Sequence, residues 1–115
     1  MTIALQEQQL GQLRPANTTA ASIYSPAAEV TWIGKSVVIC NTSSATALAR
    51  IFHHEAGTTY DETTAIYWDV EVLADETRTL TVLIAGKTSA GNVAVRTNIA
   101  NALTFSFYGV EITDV

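Results

Sequence analysis

Apolar and polar residues alternate in short runs from Ala20 to the end of the chain. In the run AIYWDVEV, for example, Ile66, Trp68 and Val70 share one parity while Tyr67 lies on the other, and the run TRTLTVLI alternates in the same way. A period of two residues is that of a β-strand with one buried face, and it differs from the 3.6-residue period of an amphipathic helix. The pattern therefore predicts strands almost throughout.

Roughly seven or eight such runs follow one another at intervals of about 8–15 residues, with turn-forming residues between them. The parity changes at Gly34, which predicts a β-bulge in VTWIGKSVVICN, and again near Gly109 in ALTFSFYGVEIT. No crossover helix is available for a parallel sheet. We therefore predict an all-β fold in which residues 20–115 form a single antiparallel β-sandwich or jelly-roll-like domain. The expected core residues are Trp68, Val70, Leu80, Val82, Phe105 and Phe107.

Residues 1–19 differ from the rest of the chain because they are rich in glutamine. Gly11 weakens a helix and Pro15 ends one, so we expect an N-terminal arm that forms one or two helical turns at most, or an extended segment. Its apolar positions are Ile3, Leu5, Leu10 and Leu13. We expect these residues to dock the arm on its own domain or on a neighbour, which makes them candidate assembly residues.

Composition excludes several classes of function. The net charge is −5 at pH 7 with only six lysines and arginines, and a protein that binds nucleic acid needs a positive surface. No segment approaches the ~20 apolar residues of a transmembrane helix. The single cysteine, Cys40, lies in an apolar run and cannot form a disulfide within the chain. We therefore expect no nucleic-acid partner, no membrane association and synthesis in a reducing cytoplasm.

The stretch IFHHEAGTTYDE contains both histidines of the chain and is the strongest candidate for chemistry. A catalytic zinc site needs three protein ligands, and adjacent histidines on a strand point to opposite faces, so His53 and His54 do not suit one ion. We predict the end of a strand followed by a connecting loop, with no catalytic residue, no metal and no cofactor. As a contact loop it would use His53, His54, Glu55, Tyr60 and Asp61. A metal or ligand site and a catalytic pair of carboxylates are the alternatives.

The order of runs resembles small β-sandwich virion proteins of tailed bacteriophages. The resemblance extends from about Leu13 to Thr113 and rests on the runs VVICN, ARIFHH, GTTYD and GVEIT. It implies a capsid decoration, or cement, protein on the phage head surface, made in the host cytoplasm. Such a protein would bind the major capsid protein and itself, with a trimer favoured over a dimer, and would have no enzymatic activity.

Two other functions compete with this one. The first is a tail, fibre or adaptor component that binds a receptor or a carbohydrate. It would use the loop from His53 to Asp61 together with Tyr60 and Tyr67, the aromatic residues most expected at the surface. The second is a metal-dependent enzyme built on His53, His54, Glu55 and Asp61, which would require stoichiometric metal.

Overall fold

The computed structural model describes residues 3–87 and 89–114 and contains eight strands. They are β1 (Ile3–Leu13), β2 (Ala21–Tyr24), β3 (Thr31–Asn41), β4 (Ala47–His54), β5 (Ala65–Val72), β6 (Thr77–Gly86), β7 (Asn92–Thr97) and β8 (Leu103–Asp114). One four-stranded sheet has the order β1-β8-β3-β6 and the other has the order β2-β7-β4-β5. We call these sheet 1 and sheet 2. The predicted all-β class is confirmed, and no described helix is long and apolar enough to cross a membrane.

The strands pair as if the chain were one long hairpin that was then rolled up. β4 pairs with β5, β3 with β6, β2 with β7 and β1 with β8, always antiparallel. Two further antiparallel pairings, β3 with β8 and β4 with β7, complete the two sheets. This nesting is the topology of an eight-stranded jelly roll.

The segment expected to form an arm contains the edge strand β1, so its extended alternative is the one observed. β1 pairs with β8 from Ile3 to Leu13, and Leu10 and Leu13 pack against the core. A side chain at Gly11 would overlap the carbonyl oxygen of Ile23, which explains why glycine lies where β1 passes β2. Beyond β1, Arg14 donates a hydrogen bond to the Asn101 carbonyl at 2.9 Å. A role of residues 1–19 in assembly remains a proposal. Such a role must be compatible with the pairing of β1 at the edge of its sheet.

The parity change predicted at Gly34 is confirmed as a β-bulge. The pairing of β3 with both neighbouring strands shifts between Gly34 and Ser36. Lys35 is an extra residue relative to β8, whereas β6 has the extra residue on the other side, where Val82 and Leu83 oppose Lys35. A Cβ on Gly34 would lie 2.6 Å from Cζ of Phe107, which means that the buried Phe107 ring needs the space that glycine leaves. Trp32 before the bulge and Val37 after it consequently both face the core.

Most of the predicted core is confirmed, but the assignment of one residue to it is wrong. Leu80, Val82, Phe105 and Phe107 are buried between the sheets, and Val70 is partly buried against them. Trp68, however, is 42% exposed on the outer face of sheet 2. Asp69 adopts a left-handed φ of 53°, and Trp68 and Asp69 together oppose Arg50, which makes a bulge. Tyr67 therefore packs against the core instead and donates a hydrogen bond from its hydroxyl to the Thr81 carbonyl at 2.6 Å.

We expect Phe105→Ala to lower the free energy of unfolding by about 3–5 kcal/mol, because a fully buried ring would leave a cavity between the sheets. Urea denaturation measures this change. Leu73→Ala, at an exposed position in the turn after β5, is the control and should change stability by less than about 0.5 kcal/mol. Equal costs for the two variants would contradict the assignment of the core.

Candidate interaction surfaces

The two histidines end β4 and point in different directions, as predicted for neighbours on a strand. His53 turns toward Trp32, with ring centroids 5.3 Å apart in an edge-to-face arrangement. His54 folds over the following loop, where its Nδ1 accepts a hydrogen bond from the Thr59 N–H at 3.0 Å. Within residues 3–87 and 89–114, no group of three or more His, Cys, Asp or Glu side chains is placed to hold a metal ion.

The loop formed by residues 55–64 is closed by its own polar groups. Asp61 accepts hydrogen bonds from the N–H (2.8 Å) and the hydroxyl (2.5 Å) of Thr63, and these bonds hold the pKa of Asp61 below its ordinary value. The Thr64 hydroxyl donates to the Thr59 carbonyl at 2.8 Å. Tyr60 packs on Phe52 with ring centroids 6.1 Å apart. The prediction of a strand end followed by a connecting loop is thus confirmed, and its role in contacts stays a prediction.

Glu55 connects the loop formed by residues 55–64 to the loop that follows β6. Its Oε2 accepts a hydrogen bond from the Lys87 N–H at 3.0 Å, and its Oε1 lies 3.8 Å from His53 Nε2. That separation is too long for a hydrogen bond. Burial lowers the pKa of His53, and the nearby charge of Glu55 offsets this only in part. His53 is therefore held in its neutral form at neutral pH.

An exposed apolar stripe crosses the outer face of sheet 1 at the same end of the molecule. Strand pairing places Ile33 between Val110 and Ala85, and Leu5 beside Ile112. Leu83 is 77% exposed, Leu5 is 68% exposed and Ile3 is 59% exposed. We define the stripe as Ile3, Leu5, Ile33, Leu83 and Ile112. Large apolar side chains gathered on one face of a small protein mark an interaction surface.

The outer face of sheet 1 is also nearly free of charge. Among the residues whose side chains are described, Glu7 and Lys35 are the charged pair on this face, and they bind each other. The neighbouring positions on this face are neutral, with Thr79, Ser106 and Gln12 aligned across the strands. Most acidic side chains lie elsewhere, in β5 and in the loops: Glu29, Glu55, Asp61, Glu62, Asp69, Glu71, Asp75 and Glu76.

A second surface lies on the outer face of sheet 2, around Trp68. The Arg50 guanidinium carbon lies 3.5 Å from the centroid of the Trp68 ring. Arg50 also forms two hydrogen bonds with the Asp69 carboxylate, at 2.7 and 3.2 Å, which lower the pKa of Asp69. Phe52 is buried beneath Trp68 and Tyr60. The result is a rigid aromatic platform with a charge pair across it.

Several of these residues were not predicted from the sequence. Leu83 and Ile33 fall on apolar runs whose alternation gave no sign of an apolar outer face. Trp32 is the largest fully buried side chain among the described residues, although strict alternation places it on the opposite face from Val37. The predicted bulge at Gly34 was the available signal, since counting the faces again after the bulge brings Trp32 inward.

Comparisons with known proteins support the fold. No protein-family model matches the sequence, and a comparison with curated proteins gives no significant match. Among solved structures, the chain is similar to a protein of the T13 viral particle of infectious bursal disease virus, with a TM-score of 0.59 and 9% identity over 96% of this chain. It covers 30% of that protein, which is less than a third of its length. It is also similar to the coat protein dimer of Tobacco streak virus, with a TM-score of 0.53 and 8% identity over 97% of this chain and 86% of that protein. At these identities the likeness concerns the fold alone.

The depressed pKa of His53 has a consequence for stability. His53 binds its proton more weakly in the folded state than in the unfolded state. The protein therefore loses stability as the pH falls from the unfolded-state pKa of about 6.5 through the lower folded-state pKa. We expect the melting temperature to fall between about pH 7 and about pH 5, and His53→Gln to make this fall smaller.

Scanning fluorimetry over this pH range measures the effect. His54→Gln is the matched control, since it removes the hydrogen bond from Thr59 but should leave the contribution of His53 to the acid-dependent loss intact. A wild-type melting temperature that rises as the pH falls would contradict this prediction.

Proposed function

We propose that this chain is a structural protein of a virus particle that acts by self-association. The observation that carries the proposal is the apolar, charge-neutral outer face of sheet 1. The jelly-roll fold, which is similar to that of a coat protein and of a protein in a viral particle, supports it. Such a function needs surfaces that bury area against neighbours, and no catalytic group takes part.

The partner proposed for the stripe is a second copy of the same chain. Two copies with a net charge of −5 each repel one another wherever their acidic loops meet. The outer face of sheet 1 avoids this repulsion because its charged side chains, Glu7 and Lys35, already neutralise each other. A symmetric contact also needs a patch that is complementary to itself, which a neutral apolar stripe satisfies.

Within this role, we propose the narrower function of a capsid decoration protein. A decoration protein would bind the major capsid protein lattice on the head surface and stabilise the head by burying interface area, with many weak contacts adding through multivalency. The sequence resemblance to virion proteins of tailed bacteriophages motivates this choice. Neither of the two viruses named above is a phage, so the phage head, the host cytoplasm and a trimeric state rest on that resemblance.

A tail or adaptor component that binds a carbohydrate is the second candidate. The exposed Trp68 ring, with Arg50 stacked on it, favours it because aromatic faces bind sugar rings. Here Trp68 takes the place proposed from the sequence for Tyr67, which faces the core. Binding of the isolated domain to a glycan array would favour this candidate. A copy number close to that of the shell protein in purified particles would favour decoration.

Self-association through the stripe can be tested with Leu83→Asp. The substitution places a charge on the most exposed apolar side chain of the stripe, where contact with a second copy would desolvate it. We expect sedimentation velocity to show an association constant at least about tenfold weaker than that of the wild type, while the melting temperature of the monomer stays within a few degrees.

Ile66→Asp is the matched control because Ile66 is exposed on the outer face of sheet 2. It should leave association unchanged. If Ile66→Asp dissociates the oligomer and Leu83→Asp does not, the contact lies on sheet 2 and the proposed interface is wrong.

The N-terminal segment should divide into an assembly part and a folding part. Leu5 is exposed on β1, whereas Leu10 packs against the core. We expect Leu5→Gln to weaken association with little change in the melting temperature, and Leu10→Gln to lower the melting temperature by several degrees. Scanning calorimetry and sedimentation of the same samples measure both. Equal effects of the two substitutions on stability would mean that β1 acts as one structural unit.

A further inference from the structure

Three buried side-chain atoms at the end of the sandwich have no hydrogen-bond partner among the described residues. They are Trp32 Nε1, His53 Nε2 and Glu55 Oε1. The Trp32 side chain is 1% exposed, so bulk solvent does not reach its indole N–H. Buried polar groups in folded proteins are nearly always paired, and each unpaired one in a native structure needs an explanation.

These atoms converge on one small space beside Gly86. A Cβ built on Gly86 would lie 2.6 Å from Glu55 Oε1 and 2.7 Å from Trp32 Nε1. His53 Nε2 is 3.8 Å from the same Glu55 oxygen. Gly91 faces this oxygen from another side, where a Cβ would lie 3.0 Å from it. Gly86 and Gly91 thus let the Glu55 carboxylate and the Trp32 indole lie against the backbone, close enough to each other for one ligand atom to bridge them.

The chemistry of the three groups limits what can bind there. The indole N–H of Trp32 only donates, an ionised Glu55 carboxylate only accepts, and a neutral His53 offers one donor and one acceptor. A cation would leave the indole N–H without an acceptor, and an anion would be repelled by Glu55. One oxygen that carries at least one hydrogen satisfies the donor and the acceptor together.

A surface pocket of about 310 Å³ adjoins this point. Its lining includes Trp32 and Glu55, together with Lys87 and the apolar side chains of Ile33, Ala85 and Ile112. Apolar walls with a few convergent polar groups are the usual composition of a small-molecule site. The pocket gives a ligand larger than water a route to Trp32 and Glu55, two of the three residues.

We infer that Trp32, His53 and Glu55 form a binding site for one hydroxyl-type oxygen, supplied by a water molecule or by an alcohol group that enters through the pocket. The oxygen accepts a hydrogen bond from Trp32 Nε1 and donates one to Glu55 Oε1. A water molecule also donates its second hydrogen to His53 Nε2, and buried waters typically make about three such bonds. This site does not require the self-association proposed above, although Ile33 and Ile112 of the stripe line the pocket that leads to it.

Nuclear magnetic resonance of the ¹⁵N-labelled full chain tests the site. In a Trp68→Phe background, the remaining indole signal is that of Trp32. We expect cross-peaks of opposite sign in NOE and ROE spectra between this indole proton and water, as a bound water molecule gives, and slow exchange of the proton. Added ethylene glycol separates the two sources. A cross-peak from its methylene protons that replaces the water peak identifies an alcohol site, and an unchanged water peak identifies a water site.

Three substitutions make the test decisive. Gly86→Ala places a methyl group against both Glu55 Oε1 and Trp32 Nε1, which must then move apart, and should abolish the cross-peak. If that variant does not fold, Glu55→Leu carries the same expectation because it removes the acceptor at similar volume. Glu55→Gln keeps a carbonyl acceptor and should retain the cross-peak. The inference is overturned if the Trp32 indole proton shows no contact with water or alcohol and exchanges equally fast in the wild type and in the Glu55→Leu variant.

Discussion

The layer of apolar side chains between the two sheets holds the molecule together, and Trp32 lies where that layer meets the loops. Its indole contacts Tyr24 and His53 of sheet 2 edge to face, with centroids 5.3 Å away in both cases, and Phe107 of sheet 1 at 6.0 Å. Edge-to-face pairs of this kind stabilise a core beyond the area that they bury. Because these contacts join strands of both sheets, the aromatic cluster fixes the distance between the sheets at the end where the histidine loop begins. The same packing brings the indole N–H close to Glu55. The packing of the apolar core therefore also creates the polar centre at its edge.

Two of the strand bulges decide whether Trp32 and Trp68 face that core. A strand has a period of two, so one extra residue moves every later side chain to the opposite face. The bulge at Lys35 was predictable because Gly34 interrupts the alternation of β3, and the class of the fold and most core positions followed from such alternation. The bulge at Asp69 was not predictable, because AIYWDVEV alternates without interruption. It depends on Arg50 of the neighbouring strand, which binds both Trp68 and Asp69. Long-range partners of this kind leave no local signal, and the outward position of Trp68 was therefore missed.

The distribution of charge gives the two sheets different surfaces. Sheet 2 and the loops carry most of the acidic side chains and an aromatic platform, whereas the outer face of sheet 1 carries a neutral apolar stripe. The sequence indicated the low charge and the leucines of β1, but it could not indicate that Leu5, Ile33 and Leu83 lie together. They come from three strands far apart in the chain, and only the nested pairing of the jelly roll aligns them. The structural role in a particle proposed above would use this division, since one face can bury area while the other stays hydrated.

The polar centre and the stripe are neighbours, and this proximity would link them energetically. Ile33 and Ile112 belong to the stripe and also line the pocket that leads to Trp32 and Glu55. A second copy packed on the stripe would cover the mouth of that pocket and slow the exchange of the oxygen bound inside. Exchange of the Trp32 indole proton would therefore slow when two copies associate, so the state of the polar centre would report on the subunit contact.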